Sequence, residues 1–145
     1  MDYRAAFQIS AAGMDAEKLR LDVTALNLAN MNTTSKTEAG AYKPMRVVTQ
    51  LKSLDFEGVM QAEQGNAALG LPQATAVPMD VTPRFVHDPS HPHADARGMV
   101  AYPRVEHAGE MVRLVSALRS YEANVAAASA TRAMAAKALE IGGGQ

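Results

Sequence analysis

Three histidines and two aspartates lie within nine residues of the chain, at His87, Asp88, His91, His93 and Asp95. Imidazole and carboxylate groups are zinc ligands, but a zinc site needs at least three of them to converge with tetrahedral geometry. Pro89 and Pro92 hold this segment in extended or turn conformations, so His91 and His93 need not face the same way. We therefore expect a polar, proline-stiffened turn here, with neither a metal ion nor a cofactor bound.

The rest of the sequence offers little other chemistry. Zinc-binding HExxH, the P-loop, the GxGxxG loop and the GxSxG nucleophile motif are all absent from it. The chain has no cysteine, which excludes disulfides, thiolate metal sites and cysteine nucleophiles. Its net charge is −1 and its basic residues do not cluster, so nucleic acid is not an expected partner. We expect a protein that is not an enzyme and has no small-molecule substrate.

Prolines divide the chain into two helical ends and an irregular middle. All seven prolines lie between Pro44 and Pro103. We predict a first helix from Tyr3 to about Met31, and a second that begins near 103–106 and ends at 142–144. In the middle, 46–51 and 81–86 are expected to be extended, the latter as an edge strand, and 61–78 to be a flexible insertion.

These elements predict a mainly α fold. The long N- and C-terminal helices are expected to pair as a coiled-coil-like unit, around a small, irregular central segment that contains β-structure. We expect residues 1–34 and 104–145 to form one domain and residues 35–103 to form the central region. The sequence has no run of about 18 apolar residues, and Asp2 precedes no apolar signal core. A transmembrane segment and a cleaved signal peptide are therefore not expected.

The first helix carries two apolar rows with a seven-residue step. One row consists of Phe7, Met14, Leu21 and Leu28, and the other of Ala12, Leu19 and Leu26. At 100° per residue the rows lie on nearly opposite sides, so the helix needs partners on both sides. It is either the central helix of a small bundle or a helix shared between subunits. We expect one row to pack on the chain's own second helix and the other on a neighbouring subunit.

The second helix also has heptad spacing. Its first row is Met111, Leu118, Val125 and Leu139, interrupted by Arg132, and its second row is Leu114, Tyr121, Ala128 and Ala135. Such a pattern over about four heptads is typical of a coiled-coil-like seam. We expect Leu118 and Val125 to receive the packing row of the first helix.

Several motifs resemble the bacterial flagellar rod and hook proteins. They are Asn27-Leu28-Ala29-Asn30 followed by Thr33-Thr34, the helical stretch Arg119–Val125, and Lys137–Gly142. Asp88–Pro92 and the stretch Gly98–Val105 are similar to the C-type proximal-rod branch of that family. The segment Gly40–Pro44 and Met99 depart from the usual family pattern, which affects only the detail of the central region.

The resemblance implies a structural subunit of the basal-body rod. Members of the family assemble with copies of themselves and other rod proteins into a hollow shaft, which transmits torque and surrounds the export channel. It further implies basal-body ring and export-gate components as partners, type III export without signal cleavage, and a place in the periplasm.

The residues expected to pack between subunits are apolar heptad positions and motif positions. They are Met14, Leu19, Leu21, Leu26, Asn27, Leu28, Asn30, Met111, Leu118, Tyr121, Asn124, Val125 and Leu139. A soluble coiled-coil adaptor is the alternative that would also explain the helices. A histidine-dependent metalloenzyme would explain only residues 87–95.

Overall fold

The structure, a computed structural model, describes residues 3–51 and 72–142. In chain order its elements are α1 (Tyr3–Asn30), β1 (Met45–Leu51), β2 (Pro72–Pro78), β3 (Arg84–His87), β4 (Met99–Tyr102) and α2 (His107–Gly142). The predicted fold class, two long terminal helices with a small β-containing centre, is confirmed.

The first helix has the predicted bounds to within a residue, whereas α2 begins at His107, after the expected start at 103–106, so Pro103 precedes the helix and does not occupy its first turn. At the end of α1, the Asn30 side chain donates to Leu26 O at 2.9 Å and the Thr33 backbone donates to Asn30 O at 3.0 Å. The helix α2 follows Pro103, has the acidic Glu110 in its first turn and continues without proline to Gly142. Within the described residues, no helix is long and apolar enough to cross a membrane.

The strands form two separate two-stranded sheets. β1 pairs with β2, and β3 pairs with β4 in antiparallel register from Arg84–Tyr102 to His87–Met99. Ala101 of β4 also exchanges two backbone hydrogen bonds, of 3.0 and 3.1 Å, with Ser35.

The predicted strand at 46–51 is confirmed, whereas the other extended segments differ from expectation. The strand expected at 81–86 begins only at Arg84, because Pro83 has no N–H for a ladder. Residues 72–78 of the expected flexible insertion form β2, and residues 61–71 lie outside the described residues. β4 was not anticipated.

Internal contacts divide the chain into two units. Unit 1 comprises Met1–Lys18, Thr49–Thr75 and Ala117–Gln145, and unit 2 comprises Leu19–Val48 and Ala76–Ser116. Among the described residues, the buried side chains of unit 1 are Ser10, Ala16, Glu17, Ala117, Ala128 and Thr131. Those of unit 2 include Val23, Thr24, Asn27, Ala41, Val100, Ala101 and Glu110. Most of these side chains are small or polar, so each unit buries little large apolar surface.

Candidate functional site

The face of α1 that is buried within the chain is not an apolar row. Its buried residues are Ser10, Ala16, Glu17, Val23, Thr24 and Asn27. Successive residues of a helix are rotated by about 100°, which places these six positions in the gap between the two predicted apolar rows. The exposed Arg20 lies on the same side of the helix. We call this set the inward seam of α1.

The inward face of α2 combines one predicted row with a row of small and polar residues. Leu114, Tyr121 and Ala135 are half-buried and Ala128 is buried, as a seam position requires. The neighbouring inward row is Glu110, Ala117, Asn124 and Thr131, of which the sequence analysis had named only Asn124. The expected partner residues Leu118 and Val125 are instead 43% and 40% exposed. The expectation that they receive an α1 row within the chain is therefore wrong.

Large apolar side chains of both helices remain exposed. In unit 1 they are Phe7, Ile9, Leu118, Val125, Met134, Leu139 and Ile141, and in unit 2 they are Leu26, Met111, Val112 and Val115. We call each set the outward apolar surface of its unit. Single exposed apolar residues are ordinary, but an accumulation of them on a small protein marks an interaction surface. Apart from Val23, Leu114 and Tyr121, the inward positions of the helices carry mainly small or polar residues, while many large apolar side chains are exposed.

The residues predicted to pack between subunits differ in exposure. Leu26, Met111, Leu118, Val125 and Leu139 are exposed. Half-buried positions are Met14, Leu19, Leu21, Leu28, Asn30, Tyr121 and Asn124. Asn27 is only 1% exposed, so its side chain is engaged within the chain.

Asn27 is the centre of a buried polar cluster in unit 2. Its Nδ2 donates to Met45 O at 2.8 Å and to Glu110 Oε2 at 3.3 Å. Its Oδ1 accepts from Met45 N at 2.9 Å and from the Tyr42 hydroxyl at 2.9 Å. The side-chain amide thus uses two donor and two acceptor positions, which is its full capacity. We refer to Asn27, Tyr42, Met45, Glu110 and Arg113 as the Asn27 cluster.

Glu110 supplies the negative charge of this cluster. It is 5% exposed, and its Oε1 is paired with the Arg113 guanidinium. Its place in the first turn of α2 is electrostatically favourable, because unpaired backbone N–H groups give a helix N-terminus partial positive charge. Burial, and secondarily the charge of Glu110, raises the pKa of the Tyr42 phenol above its usual 10.0.

The histidine-rich turn between β3 and β4 uses its polar side chains to hold its own backbone. Asp95 Oδ1 accepts the N–H groups of Arg97 and Met99, each at 2.8 Å. These bonds, that from Met99 first, lower the pKa of the Asp95 carboxyl. Gly98 has a φ of +73°, which favours glycine over residues with a Cβ.

Asp88 caps the other end of the turn, and the histidines make their own contacts. Asp88 Oδ1 accepts the Ser90 hydroxyl at 2.7 Å, a bond that lowers the pKa of the Asp88 carboxyl. His91 Nδ1 accepts the N–H of His93 at 3.0 Å, and His93 Nδ1 lies 2.8 Å from Thr34 Oγ1. In the described part of the chain, no group of three histidine or carboxylate side chains is arranged to hold a metal ion.

Comparison with known proteins identifies the family of the chain. A family model described as flagella basal body rod protein matches residues 7–35, and one described as flagellar basal body rod FlgEFG protein C-terminal matches residues 96–141. The chain is 42% identical over 141 residues to the flagellar basal-body rod protein FlgC of Bacillus subtilis, covering 92% of this chain and 94% of that one. The chain belongs to the FlgC family of flagellar basal-body rod proteins.

Two more distant FlgC proteins support the same assignment. That of Salmonella typhimurium is 33% identical, with 94% of this chain and 95% of its own covered. That of Aquifex aeolicus is also 33% identical, with 97% of each chain covered. The likeness therefore extends through the central region and is not confined to the helices.

Membership of the FlgC family makes the chain a self-assembling structural subunit of the flagellar basal-body rod, not an enzyme. The predicted resemblance is confirmed, and the soluble adaptor is not favoured. The sequence reasoning missed Gly13, Tyr42 and Glu110 as contributors to the architecture. A glycine inside an otherwise regular helix and an acidic residue in the first turn of α2 were the available signals; Tyr42 gave none.

Proposed function

We propose that the outward apolar surfaces of the two units are where this rod subunit packs against copies of itself and against other rod proteins. The observation that carries the proposal is the exposure of large apolar side chains at heptad positions, Leu118 and Val125 above all. Removing them from water on assembly would contribute about 25 cal/mol for each Å² covered. The assembled subunits form a hollow shaft that transmits torque and surrounds the export channel.

The proposal includes the predicted packing residues and domain. Residues 1–34 and 104–145 act as one rod-core domain with a coiled-coil-like pairing, and residues 35–103 form the central region. Exposed and half-buried members of the predicted set contact neighbouring subunits directly. Asn27 contributes through the cluster that it forms, because its own side chain is covered.

The proposal extends to finer partners and to location, and what supports this part is the resemblance to the rod family. We place the subunit in the periplasmic part of the basal body, next to ring and export-gate components, after type III export without signal cleavage. N-terminal sequencing of the subunit from purified basal bodies tests the export route. An intact start at Met1 or Asp2 supports it, whereas a start further along the chain contradicts it.

Charged substitutions on the exposed row test the packing surface. Leu118→Glu combined with Val125→Glu places two charges at positions that are exposed in the chain, so helix content and thermal unfolding should stay close to those of the parent. Because buried unpaired charges are costly, rods should no longer incorporate the variant, and cells should not swim.

The matched control is Ser116→Glu with Ala123→Glu, which adds two glutamates with the same seven-residue spacing at exposed positions without large apolar side chains. This control should retain more rod incorporation than the Leu118 and Val125 variant. Normal rods built from the Leu118 and Val125 variant would overturn the proposed packing surface.

A further inference from the structure

In unit 2, each partner of the polar contact between α1 and α2 is followed along its helix by an apolar residue. Asn27 Nδ2 lies 3.3 Å from Glu110 Oε2, and the next residues are Leu28 and Met111. Leu28 is half-buried and Met111 is 42% exposed. The chain therefore packs the polar pair between its helices and leaves the neighbouring apolar pair only partly covered.

Unit 1 repeats this arrangement at a second place on both helices. A Cβ at position 13 would lie 2.7 Å from Asn124 Oδ1, and the next residues are Met14 and Val125. Met14 is half-buried and Val125 is 40% exposed. In each unit, a contact of small or polar residues thus has an apolar pair one residue further along both helices.

This pattern predicts a second way for the two helices to pack. Successive residues of a helix are rotated by about 100°, so turning each helix by that angle about its own axis would bring the apolar pair of each unit inward. We call the observed packing the polar setting and the alternative the apolar setting. The hydrophobic effect favours the apolar setting, since that setting removes large apolar side chains from water. The polar setting therefore needs an interaction that opposes the rotation.

The Asn27 cluster supplies such an interaction. Rotation of α1 would break all four hydrogen bonds of the Asn27 amide: those with the N–H and C=O groups of Met45, at 2.9 and 2.8 Å, and those with Tyr42 and Glu110. Met45 begins β1, which is paired with β2, so its backbone cannot follow the helix. Hydrogen bonds depend on direction, unlike apolar contacts, and the cluster therefore admits only one rotation of α1.

We propose that the Asn27 cluster is a conformational lock, which holds α1 and α2 in the polar setting and prevents the subunit from packing Leu28 against its own Met111. The lock leaves Met111 exposed before assembly. This consequence for the rod rests on the proposed packing surface. The lock itself concerns contacts within one chain, and it does not depend on which molecule covers Met111 in the rod.

Two cysteine probes distinguish rotation from loosening. The chain has no cysteine, so Met111→Cys and Val23→Cys can each be followed by their rate of reaction with a maleimide. Val23 is only 5% exposed and lies about 140° around α1 from Leu28, so the apolar setting would expose it while covering Met111. Rotation therefore changes the two rates in opposite directions. Loosening or unfolding raises the rate at Val23→Cys without lowering the rate at Met111→Cys.

Asn27→Ala removes the amide and all four of its bonds. We expect this protein to keep its helix content in circular dichroism. The rate at Val23→Cys should rise by about tenfold or more and the rate at Met111→Cys should fall by about tenfold, because each rate follows the population of the setting that exposes the thiol. Folded Asn27→Ala protein with an unchanged or faster rate at Met111→Cys would overturn the proposal.

Asn30→Ala is the matched control. It makes the same substitution in α1, but the Asn30 amide bonds only to nearby groups, Leu26 O at 2.9 Å and the Thr33 hydroxyl at 3.2 Å. Neither cysteine rate should change in this variant. Equal changes with Asn27→Ala and Asn30→Ala would show that the cross-helix bonds are not what selects the setting, and would also overturn the proposal.

Tyr42→Phe provides the test if Asn27→Ala protein does not fold. It removes one of the four bonds, so the apolar setting stays a minor population and only the rate at Val23→Cys should rise, by about fivefold. Adding Met111→Ala should lower that rate again, because Met111 stabilises the apolar setting and is exposed in the polar one. The proposal is wrong if Tyr42→Phe leaves the rate unchanged, or if Met111→Ala fails to lower it.

The lock and the packing surface fail separately. Normal rods from the Leu118 and Val125 variant would contradict the packing surface and leave the lock standing. Loss of rods with that variant, together with unchanged cysteine rates in folded Asn27→Ala protein, would contradict only the lock.

Discussion

A Cβ atom at position 13 would lie 2.7 Å from Asn124 Oδ1, so the glycine in α1 leaves room for an asparagine of α2 in unit 1. Asn124 is fixed there by a 3.0 Å bond from its Nδ2 to Ser120 O. From the sequence, Gly13 only weakens its helix. In the structure it permits a close approach, which is consistent with an inward seam of small and polar residues.

Gly13→Ala should therefore fail to give the usual benefit of replacing a helical glycine. Alanine normally stabilises a helix interior by roughly 0.5–1 kcal/mol, but here it displaces the Asn124 side chain. We expect a net loss of about 1 kcal/mol in the free energy of unfolding, recovered when Asn124→Ala is added. Circular dichroism during thermal unfolding measures the stability of the single and of the double variant.

Gly109→Ala is the matched control, because the nearest atom to a Cβ there would be Glu106 Oε2 at 3.5 Å, an ordinary contact with the end of a side chain. This variant should be as stable as the parent or slightly more so. Equal stabilisation by Gly13→Ala and Gly109→Ala would show that the approach of Asn124 imposes no constraint.

The two apolar rows of α1 should respond differently to truncation. Leu21 and Leu28 are half-buried, whereas Leu26 is 50% exposed and Leu19 is half-buried. Leu→Ala at a buried site costs about 2–5 kcal/mol, and less where burial is partial. Leu21→Ala/Leu28→Ala should lower the stability and cellular level of the chain, and Leu19→Ala/Leu26→Ala should chiefly prevent rod completion.

Secreted protein, basal-body yield and swimming distinguish the two double variants. Normal swimming and normal rods with either one would show that its row is not covered in the rod.

Alkaline pH should weaken the Asn27 cluster through Tyr42. Its pKa is raised above 10.0, so the folded chain keeps the phenol proton at a pH where the unfolded chain has begun to lose it. The contribution of Tyr42 to the free energy of unfolding is therefore complete below pH 10 and is lost as the pH rises above 10. Tyr42→Phe should cost about 1 kcal/mol at neutral pH, through its lost hydrogen bond, and the difference should shrink above pH 10.

Urea unfolding of parent and Tyr42→Phe protein between pH 7 and 11 measures this difference. If the difference in free energy of unfolding between the two proteins stayed constant across that range, ionisation of Tyr42 would not be linked to the stability of the cluster.

Acid should loosen the turn between β3 and β4 through Asp95. The N–H groups of Met99 and Arg97 lower the pKa of the Asp95 carboxyl. Its contribution to the free energy of unfolding is therefore complete above the pKa that it has in the unfolded chain, about 3.9, and is lost as the pH falls through the lower pKa of the folded chain. Asp95→Asn keeps an oxygen acceptor but removes the titrating charge. NMR shifts of the Arg97 and Met99 amides should respond to pH below about 4 in the parent and not in the variant.

Zinc and chelators should leave the histidine turn unchanged. His91 Nδ1 and His93 Nδ1 are engaged with the His93 N–H and with Thr34. His91→Ala/His93→Ala protein should therefore show the same thermal unfolding with and without zinc or chelator, as should the parent. Stoichiometric zinc in purified rods would contradict this expectation.

The sequence alone determined the helices and the family. A helix forms from bonds between residues four apart, so its signals are local: the proline-free ends, the poor helix formers after Asn30 and the glycines from Gly142. The strand β1 was predictable for the same reason, since β-branched residues accumulate at 46–51. The Asn27-Leu28-Ala29-Asn30 motif and its companions were sufficient to indicate the rod family.

Only the tertiary structure decided which faces turn inward. Apolar periodicity predicted that Leu118 and Val125 would pack within the chain. Where two helix backbones approach closely, however, the residues between them must be small, as Gly13 is, and this requirement applies to both helices at once. β2 and β4 depend on pairing partners distant in sequence, and β2 has little β-propensity of its own. The bond of Asn27 to Glu110 spans 83 residues, and a relation of that kind exists only after folding has brought the two side chains together.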